Sequence, residues 1–466
     1  MQAATSHERC RLKQIRLNAF DMNCVGHIQQ GLWTHPRDRA VDYTSLDHWV
    51  ALAQRLERGL FDGLFLADIL GVYDVFGASP DAAIRHAVQV PVNDPMMLVP
   101  AMAHATTHLG FGVTANLSYE PPYLFARRMS TLDHLTRGRI GWNVVTGYLD
   151  SAARAMGLTN QVAHDDRYDV ADDYMAAVYK LWEGSWADDA VHADRTAGLY
   201  ANPARVRAIH HDGPFFRVHG THLSEPSPQR TPVLYQAGSS GRGRRFAGQH
   251  AECVFLNGGP KPQVAETVAA IRAAAVAAGR AATDVKVFVG ASLVVAETAA
   301  LAAAKLEDYR RYASPEGALV HASASMGIDL DAYDMDQPLQ AVPTNAIASN
   351  LQAAAQQGLT KRTLLDRMIL GSRQVPIMGD ADQVADALVA WVGRAEEGGA
   401  DVDGFILSRT VTPECFTDVA DLVVPALQRR GAFKEAYTPG TLRQKLFGAD
   451  RLPPTHPAAT HRFDNS

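Results

Sequence analysis

The chain predicts a closed (β/α)8 barrel on three observations: eight short apolar runs, helix-like segments alternating with them, and a length of 466 residues, which accommodates eight such units with insertions. The strand-like runs are residues 15–20, 63–67, 110–115, 140–146, 232–237, 253–257, 285–295 and 404–407. Amphipathic or alanine-rich segments at 46–58, 95–108, 123–136, 261–278, 298–312 and 415–429 supply the helices. Eight alternations at this length favour closure over an open, doubly wound sheet.

The segment 131–147 illustrates the element pattern. Arg137 and Gly138 form a cation-then-glycine helix ending, and Ile140 to Val145 is a run suited to a parallel strand covered on both faces. Asn143 interrupts that run. A buried amide left unpaired costs about 1–3 kcal/mol, so Asn143 requires a partner, and a bound ligand is one candidate.

Residues 1–430 are expected to form one barrel domain with two insertions at its mouth, about 160–230 and about 328–378. The first contains a predicted helix at 167–183 and then irregular sequence punctuated by Gly198, Pro203, Gly213, Pro214, Gly220, Pro226 and Pro228. The second carries Asp329, Asp331, Asp334 and Asp336 followed by Lys361, Arg362 and Arg367, a composition suited to a mobile lid. The extension 431–466, rich in proline and charge, is too poor in apolar residues for a core of its own and is a candidate to pack on a neighbouring subunit.

Composition narrows the function. A net charge of −6 without a basic cluster argues against nucleic acid. No leader-like apolar core opens the chain and no run reaches the ~18 apolar residues of a membrane span, so a cytoplasmic protein without a membrane partner is expected. Cys10, Cys24, Cys253 and Cys415 are widely spaced and suggest neither a disulfide framework nor a zinc site.

In a barrel of this kind chemistry sits at the carboxyl ends of the strands, and here those ends are polar. They carry Asp21 and Asn23; Asp68; Thr114 and Asn116; Asn143 and Thr146; and Gln236, Gly238, Ser239 and Ser240. Each alone reads as a turn or cap residue, but five such ends together point to a site. The turn from Gly238 to Arg244 can hold a phosphate on backbone amides, two hydroxyls and two guanidiniums. Its spacing matches neither the dinucleotide fingerprint nor the P-loop, so a mononucleotide phosphate fits it better, and a plain flexible turn fits equally. His164 and Tyr168, four apart, share a helix face; an ordinary solvated acidic helix start is the alternative. Asp165 or Asp166 is the expected cap of that helix. No spacing gives the histidines a metal-binding geometry, so no metal is assigned. With neither a G-x-S-x-G elbow nor paired carboxylates in view, an organic cofactor is the expected source of chemistry.

With these positions identified, the sequence resembles the bacterial-luciferase-like, two-component FMN-dependent monooxygenases, in the branch of the nitrilotriacetate, dibenzothiophene sulfone and dimethylsulfide monooxygenases. The resemblance rests on Phe61-Asp-Gly-Leu-Phe-Leu-Ala-Asp68, Tyr119-Glu-Pro-Pro-Tyr123, residues 127–146, residues 164–174, Ser227-Pro-Gln-Arg-Thr-Pro-Val233 and Gln236-Ala-Gly-Ser-Ser-Gly-Arg-Gly243. It implies a (β/α)8 barrel that takes reduced FMN from a separate NAD(P)H-dependent flavin reductase, activates O2 and inserts one oxygen atom into a small molecule, in a homodimer or homotetramer. It further implies that Asp68, Thr114, Asn143, Gly147, His164, Tyr168, Ser239 and Ser240 line FMN, the last two at its phosphate. Thr114, Asn143 and Tyr148 are the implied catalytic residues. Relatives often carry Ser where Gly147 stands, and some carry His where Tyr148 stands. Phe20, Met22, His27, Trp33 and Tyr148 suggest an apolar pocket, favouring a sulfide of the dimethylsulfide type over a sulfone, a chlorinated aromatic or an aminopolycarboxylate. An F420-dependent dehydrogenase and a non-enzymatic flavin-binding barrel are the competing readings of the same fold.

Overall fold

In the computed structural model, residues 13–238, 240–342, 344, 346–368 and 374–463 are described. Eight parallel strands close on themselves: β1 Arg16–Met22, β2 Gly63–Ala67, β3 Gly110–Asn116, β4 Ile140–Val145, β5 Val233–Gln236, β6 Cys253–Leu256, β7 Lys286–Val295 and β8 Gly404–Ser408. They are the eight expected runs in order. Closure is made by β8 pairing with β1, in the register Phe20 to Ser408, and by β6 pairing with β7.

Alternation along each strand separates two cores. Leu17, Ala19, Leu64, Leu66, Val113 and Val289 point outward into the main apolar core shared with the surrounding helices. Phe65, Val233, Tyr235, Phe255, Phe288 and Ile406 form a second cluster inside the barrel. The rings are in contact: Phe65 and Phe255 have centroids 4.4 Å apart, and Tyr235 stacks on Phe255 at 5.4 Å with a 7° interplanar angle. Small residues on the neighbouring strands make room for them. A Cβ at position 112 would lie 2.6 Å from the Phe65 ring, and one at 141 would lie 2.3 Å from Tyr235 Cε2.

The C-terminal extension closes the bottom of this same barrel, so the segment considered for a neighbouring subunit finds its apolar partners at home. Leu442 and Leu446, on the helix Leu442–Phe447, belong to the interior cluster. Between them the buried Arg443 forms a two-pronged ion pair with buried Glu252, Nε to Oε1 at 2.7 Å and Nη2 to Oε2 at 2.9 Å, and also donates to the carbonyl oxygens of Gln229 and Thr231. Burying such a pair is tolerable only when its remaining donors are matched in this way.

The first insertion contains the helix His164–Gly184 and two antiparallel hairpins, Val191–Asp194 with Leu199–Ala201 and Ile209–Asp212 with Arg217–Gly220. The helix starts at the mouth and ends beside the segment before β5, where Thr231 donates to Glu183, and the insertion is tied to this lower end by Ser185 Oγ donating to the Arg207 carbonyl at 2.8 Å. These hairpins replace the irregular stretch expected there; glycines and prolines in the strands and connections concealed their short alternation. The second insertion has its own apolar cluster, including Leu319, Met326, Leu330, Leu351 and Leu364. It therefore begins earlier than residue 328, with the helix Pro315–Met326. Asp336 pairs with Arg362 within it. A ninth strand, Val375–Gly379, pairs in parallel with the upper half of β7. Pro376 and the exposed Met378 disguised it in the sequence. No helix among the described residues is long and apolar enough to cross a membrane.

The stacked Tyr235 ring has no space to retreat. Gly141→Ala is expected to destabilise the protein by on the order of 1–3 kcal/mol, read as a lowered urea midpoint; an unchanged midpoint would show that the interior is not packed in this way.

Candidate active site

β3 and β4 pair Thr114 with Asn143, two residues above Gly112 and Gly141, so both side chains enter the barrel just above the aromatic floor. They are 4% and 5% exposed. Asn143 Nδ2 donates to Thr114 Oγ1 at 3.0 Å, whereas Asn143 Oδ1 is buried with no hydrogen-bond partner among the described residues. Half of the amide's requirement is thus met by the protein. The other half is left unmet inside the barrel by the described residues.

Asp68 follows β2. Burial, reinforced by the nearby charge of Asp94, pushes its carboxyl up to about 7 despite the opposing hydrogen bond from the Ile69 amide. Beyond β4, Gly147 adopts φ +68°, and a Cβ there would meet Asn116 Nδ2 at 2.5 Å, so a glycine is required by both backbone and space. The next residue, Tyr148, joins a hydrogen-bonded chain. Its hydroxyl is 3.0 Å from that of Tyr73, which donates to Gln89 Oε1 at 2.7 Å; Gln89 Nε2 in turn donates to the His27 carbonyl at 3.4 Å. The His27 ring packs edge-on against Phe20 at 4.6 Å. Burial, with the charge of Arg409, holds its pKa well below the ordinary value. Trp33, grouped with these residues from the sequence, instead donates to the His86 carbonyl at 3.3 Å.

A second polar group forms where β5 leads into the helix Gly241–His250. Ser240 caps that helix, accepting from Gly243 N at 3.0 Å; Ser239 lies outside the described residues. The turn lies against Tyr168: a Cβ at Gly238 would be 2.2 Å from Gln236 Nε2, and one at Gly243 would be 3.0 Å from the Tyr168 hydroxyl. Gln236 Nε2 donates to that hydroxyl at 3.5 Å, while Gln236 Oε1 is buried and unmatched among the described residues. Arg242 covers the Tyr168 ring at 5.3 Å and pairs with Asp169 and Asp172. His164 stands beside Tyr168, ring centroids 5.3 Å apart, with Nδ1 2.7 Å from Asp165 Oδ1. The helix begins at His164 with Ala163 at its N-cap, so Asp165 and Asp166 occupy its first turn rather than capping it.

The rim is therefore built from the ends of β2 to β5, but not every polar strand end contributes. Asp21 faces away from the interior and lies 2.6 Å from Arg409, whose Nη2 donates to the Cys24 and Val25 carbonyls. It ties β1 to β8. Tyr73, Gln89 and Gln161, which donates to the Tyr119 hydroxyl at 2.8 Å, carry no signal in the sequence because they sit in connections without periodicity.

Comparison with known proteins gives the class of this barrel. The chain belongs to the luciferase-like monooxygenase family, whose sequence profile matches residues 22–396. It is 46% identical to the dimethyl-sulfide monooxygenase of Hyphomicrobium sulfonivorans, over 97% of this chain and 94% of the relative. Identity to the long-chain alkane monooxygenase of Geobacillus thermodenitrificans (strain NG80-2) is 47%, over 97% of this chain and 98% of that protein. Among solved structures, a riboflavin lyase with modified FMN and riboflavin superposes with a TM-score of 0.91 at 41% identity, covering 97% of this chain and 100% of the other. The protein is a monooxygenase.

Because the Asp68 carboxyl is raised from 3.8 to about 7, the folded state holds a proton that the unfolded state has lost between those values, and stability falls as pH rises through that window. Asp68→Asn removes this contribution. Urea unfolding at pH 5 and pH 8 should show a smaller loss of stability in the variant than in the parent; equal losses would remove Asp68 from the account.

Proposed function

We propose that this monooxygenase uses reduced FMN as a co-substrate, received from a separate NAD(P)H-dependent flavin reductase, together with O2, to oxygenate a small apolar molecule of the dimethylsulfide type. The observation that carries the reading is the buried Asn143 Oδ1, unmatched among the described residues, next to Thr114 at the barrel mouth. An acceptor placed above an apolar floor suits a flat heteroaromatic ligand bearing N–H groups. Membership of the luciferase-like family and the modified FMN held by the similar riboflavin lyase support the same cofactor.

Ser239, Ser240 and the first amides of the helix Gly241–His250 would hold the phosphate, favoured by the helix dipole. His164 and Tyr168 would flank it, with Asp68 and Gly147 lining the ring system. Bound there, reduced FMN supplies the electrons that activate dioxygen. Thr114 and Asn143 are fixed polar groups beside the reacting centre; held by each other, they need little reorganisation as charge develops. Tyr148 extends a phenol into the pocket on the chain through Tyr73 and Gln89, which orients its proton. The second insertion packs Val320 and Ala324 against Tyr73, Leu149 and Ala152, with Ile69, Leu70 and Phe76 alongside, and this apolar roof excludes water. Such a lining supports a sulfide substrate, as do the relatives acting on dimethyl sulfide and long-chain alkanes. Dependence on an NAD(P)H-fed reductase places the pair in the cytoplasm, and a homodimer or homotetramer is the proposed assembly.

The direct test combines the protein with a generic flavin reductase, NADH and a panel of sulfides, sulfones, alkanes and chlorinated aromatics, read by mass spectrometry for the gain of one oxygen atom. Absence of product across the panel, or tighter binding of F420 than of reduced FMN, would overturn the reading. Asn143→Ala is expected to weaken binding of reduced FMN by about tenfold, the effect of one lost hydrogen bond to a buried acceptor, and to lower turnover at saturating reduced FMN by about 10²–10³; undiminished turnover would remove its catalytic role. Ser240→Asp keeps the helix cap but sets a negative charge against the phosphate. It should weaken FMN binding by about tenfold or more, equivalent to roughly 1.4 kcal/mol, and leave riboflavin binding almost unchanged.

A further inference from the structure

Half-way round the barrel from Thr114 and Asn143, on β7 and β8, a second polar group enters the mouth. Ser292 lies two residues above Gly290, which is in register with the inward Ile406, and Ser408 lies two residues above Ile406. The two serines therefore share one level of the interior wall, alongside Phe20. Gln29, from the connection after β1, reaches Ser292, its Nε2 donating to Oγ at 3.0 Å. Gln374, just before the ninth strand, lays its amide across Gly290, where a Cβ would come within 1.9 Å of Gln374 Oε1. Position 290 is thus a seat for that carboxamide.

Three atoms of this group are buried without a partner among the described residues: Gln29 Oε1, Gln374 Oε1 and Ser408 Oγ. Gln29 and Ser408 are themselves 5% and 4% exposed. Buried polar atoms are ordinarily matched, and three together on this wall of the barrel indicate a ligand that brings hydrogen-bonding groups to it. A thioether or a hydrocarbon has no donor to offer them. A flavin has one, because its pyrimidinedione edge presents carbonyl, N–H and carbonyl in sequence.

We infer that Gln29, Gln374 and Ser408 form the receptor for this imide edge. The carboxamide oxygens accept from N3–H, and the Ser408 hydroxyl donates to a flanking carbonyl. Ser292 is a positioning residue that turns the Gln29 amide so that its oxygen faces the ligand. The inference rests on the proposed use of FMN and adds which residues read the ring and by which edge. In this arrangement β7 and β8 read the imide edge, and Asn143 Oδ1 would be left for the N5–H of the reduced ring, with the space under the apolar roof for substrate.

The test is anaerobic equilibrium binding of reduced FMN and of reduced N3-methyl-FMN, which lacks the donor, to the full chain. The parent protein is expected to bind FMN at least about tenfold more tightly, the effect of one lost hydrogen bond to a buried acceptor. In Gln29→Ala and Gln374→Ala the ratio should fall, and in the double variant approach one, chiefly because FMN binds less well; Ser408→Ala should weaken both flavins and leave the ratio nearly unchanged, and Ser292→Ala should lower it partway. Equal binding of the two flavins by the parent would overturn the inference while leaving the FMN reading intact, and needs no variant to fold. A preference for FMN that is undiminished in every folded variant would also overturn it. Failure to bind either flavin would overturn the FMN reading, and the inference with it.

Discussion

The packing of aromatic rings against glycines inside the barrel sets the depth of everything above it. Phe65, Tyr235, Phe255 and Phe288 fill the lower interior only because Gly112 and Gly141 leave their strands bare on the inward face. Dense interiors of this kind yield little to added volume, so the floor is rigid. What remains of the barrel is a shallow mouth. The inward residues one step higher, Thr114, Asn143, Ser292 and Ser408, consequently line a site instead of joining the core.

Rigidity of the floor depends in turn on the closure beneath it. The helix Leu442–Phe447 inserts two leucines from below, and Arg443 is held by Glu252 and by carbonyl oxygens of the connection before β5. Removing either partner would leave a buried charge uncompensated, a change that commonly costs about 3–5 kcal/mol. A helix whose arginine stands 191 residues from Glu252 in the chain thereby anchors the segment that leads into the strand ending in Gln236.

The mouth itself divides its labour by polarity. The rim from β2 to β5 is polar and partly pre-satisfied, as in the Asn143–Thr114 bond and the Ser240 cap, whereas the roof contributed by Ile69, Leu70 and the second insertion is apolar. Polar groups fixed by one another can meet a charged or heteroaromatic cofactor without reorganisation, and an apolar roof suits a substrate with no hydrogen-bonding groups. Luciferase-like monooxygenases acting on substrates as different as a sulfide and a long-chain alkane share this chain's overall sequence at 46% and 47%.

The sequence by itself determined the class of fold and the eight strands to within a few residues, because apolar runs and polar strand ends are local signals with a period of two; only the family resemblance brought Thr114 and Asn143 to one place, and the structure supplied their contact. The sequence also located the turn at Gly238 and the helix face shared by His164 and Tyr168. Only the tertiary structure decided which polar strand ends face inward: Asp21 turns out to bind Arg409, and periodicity says which residues share a face but not which face is inside. The ninth strand and the pole made by Gln29, Ser292, Gln374 and Ser408 were equally invisible. Gln29 meets Ser292 across 263 residues of chain, and a contact between a loop and a distant strand leaves no spacing in the sequence, since it comes into being only when the barrel closes.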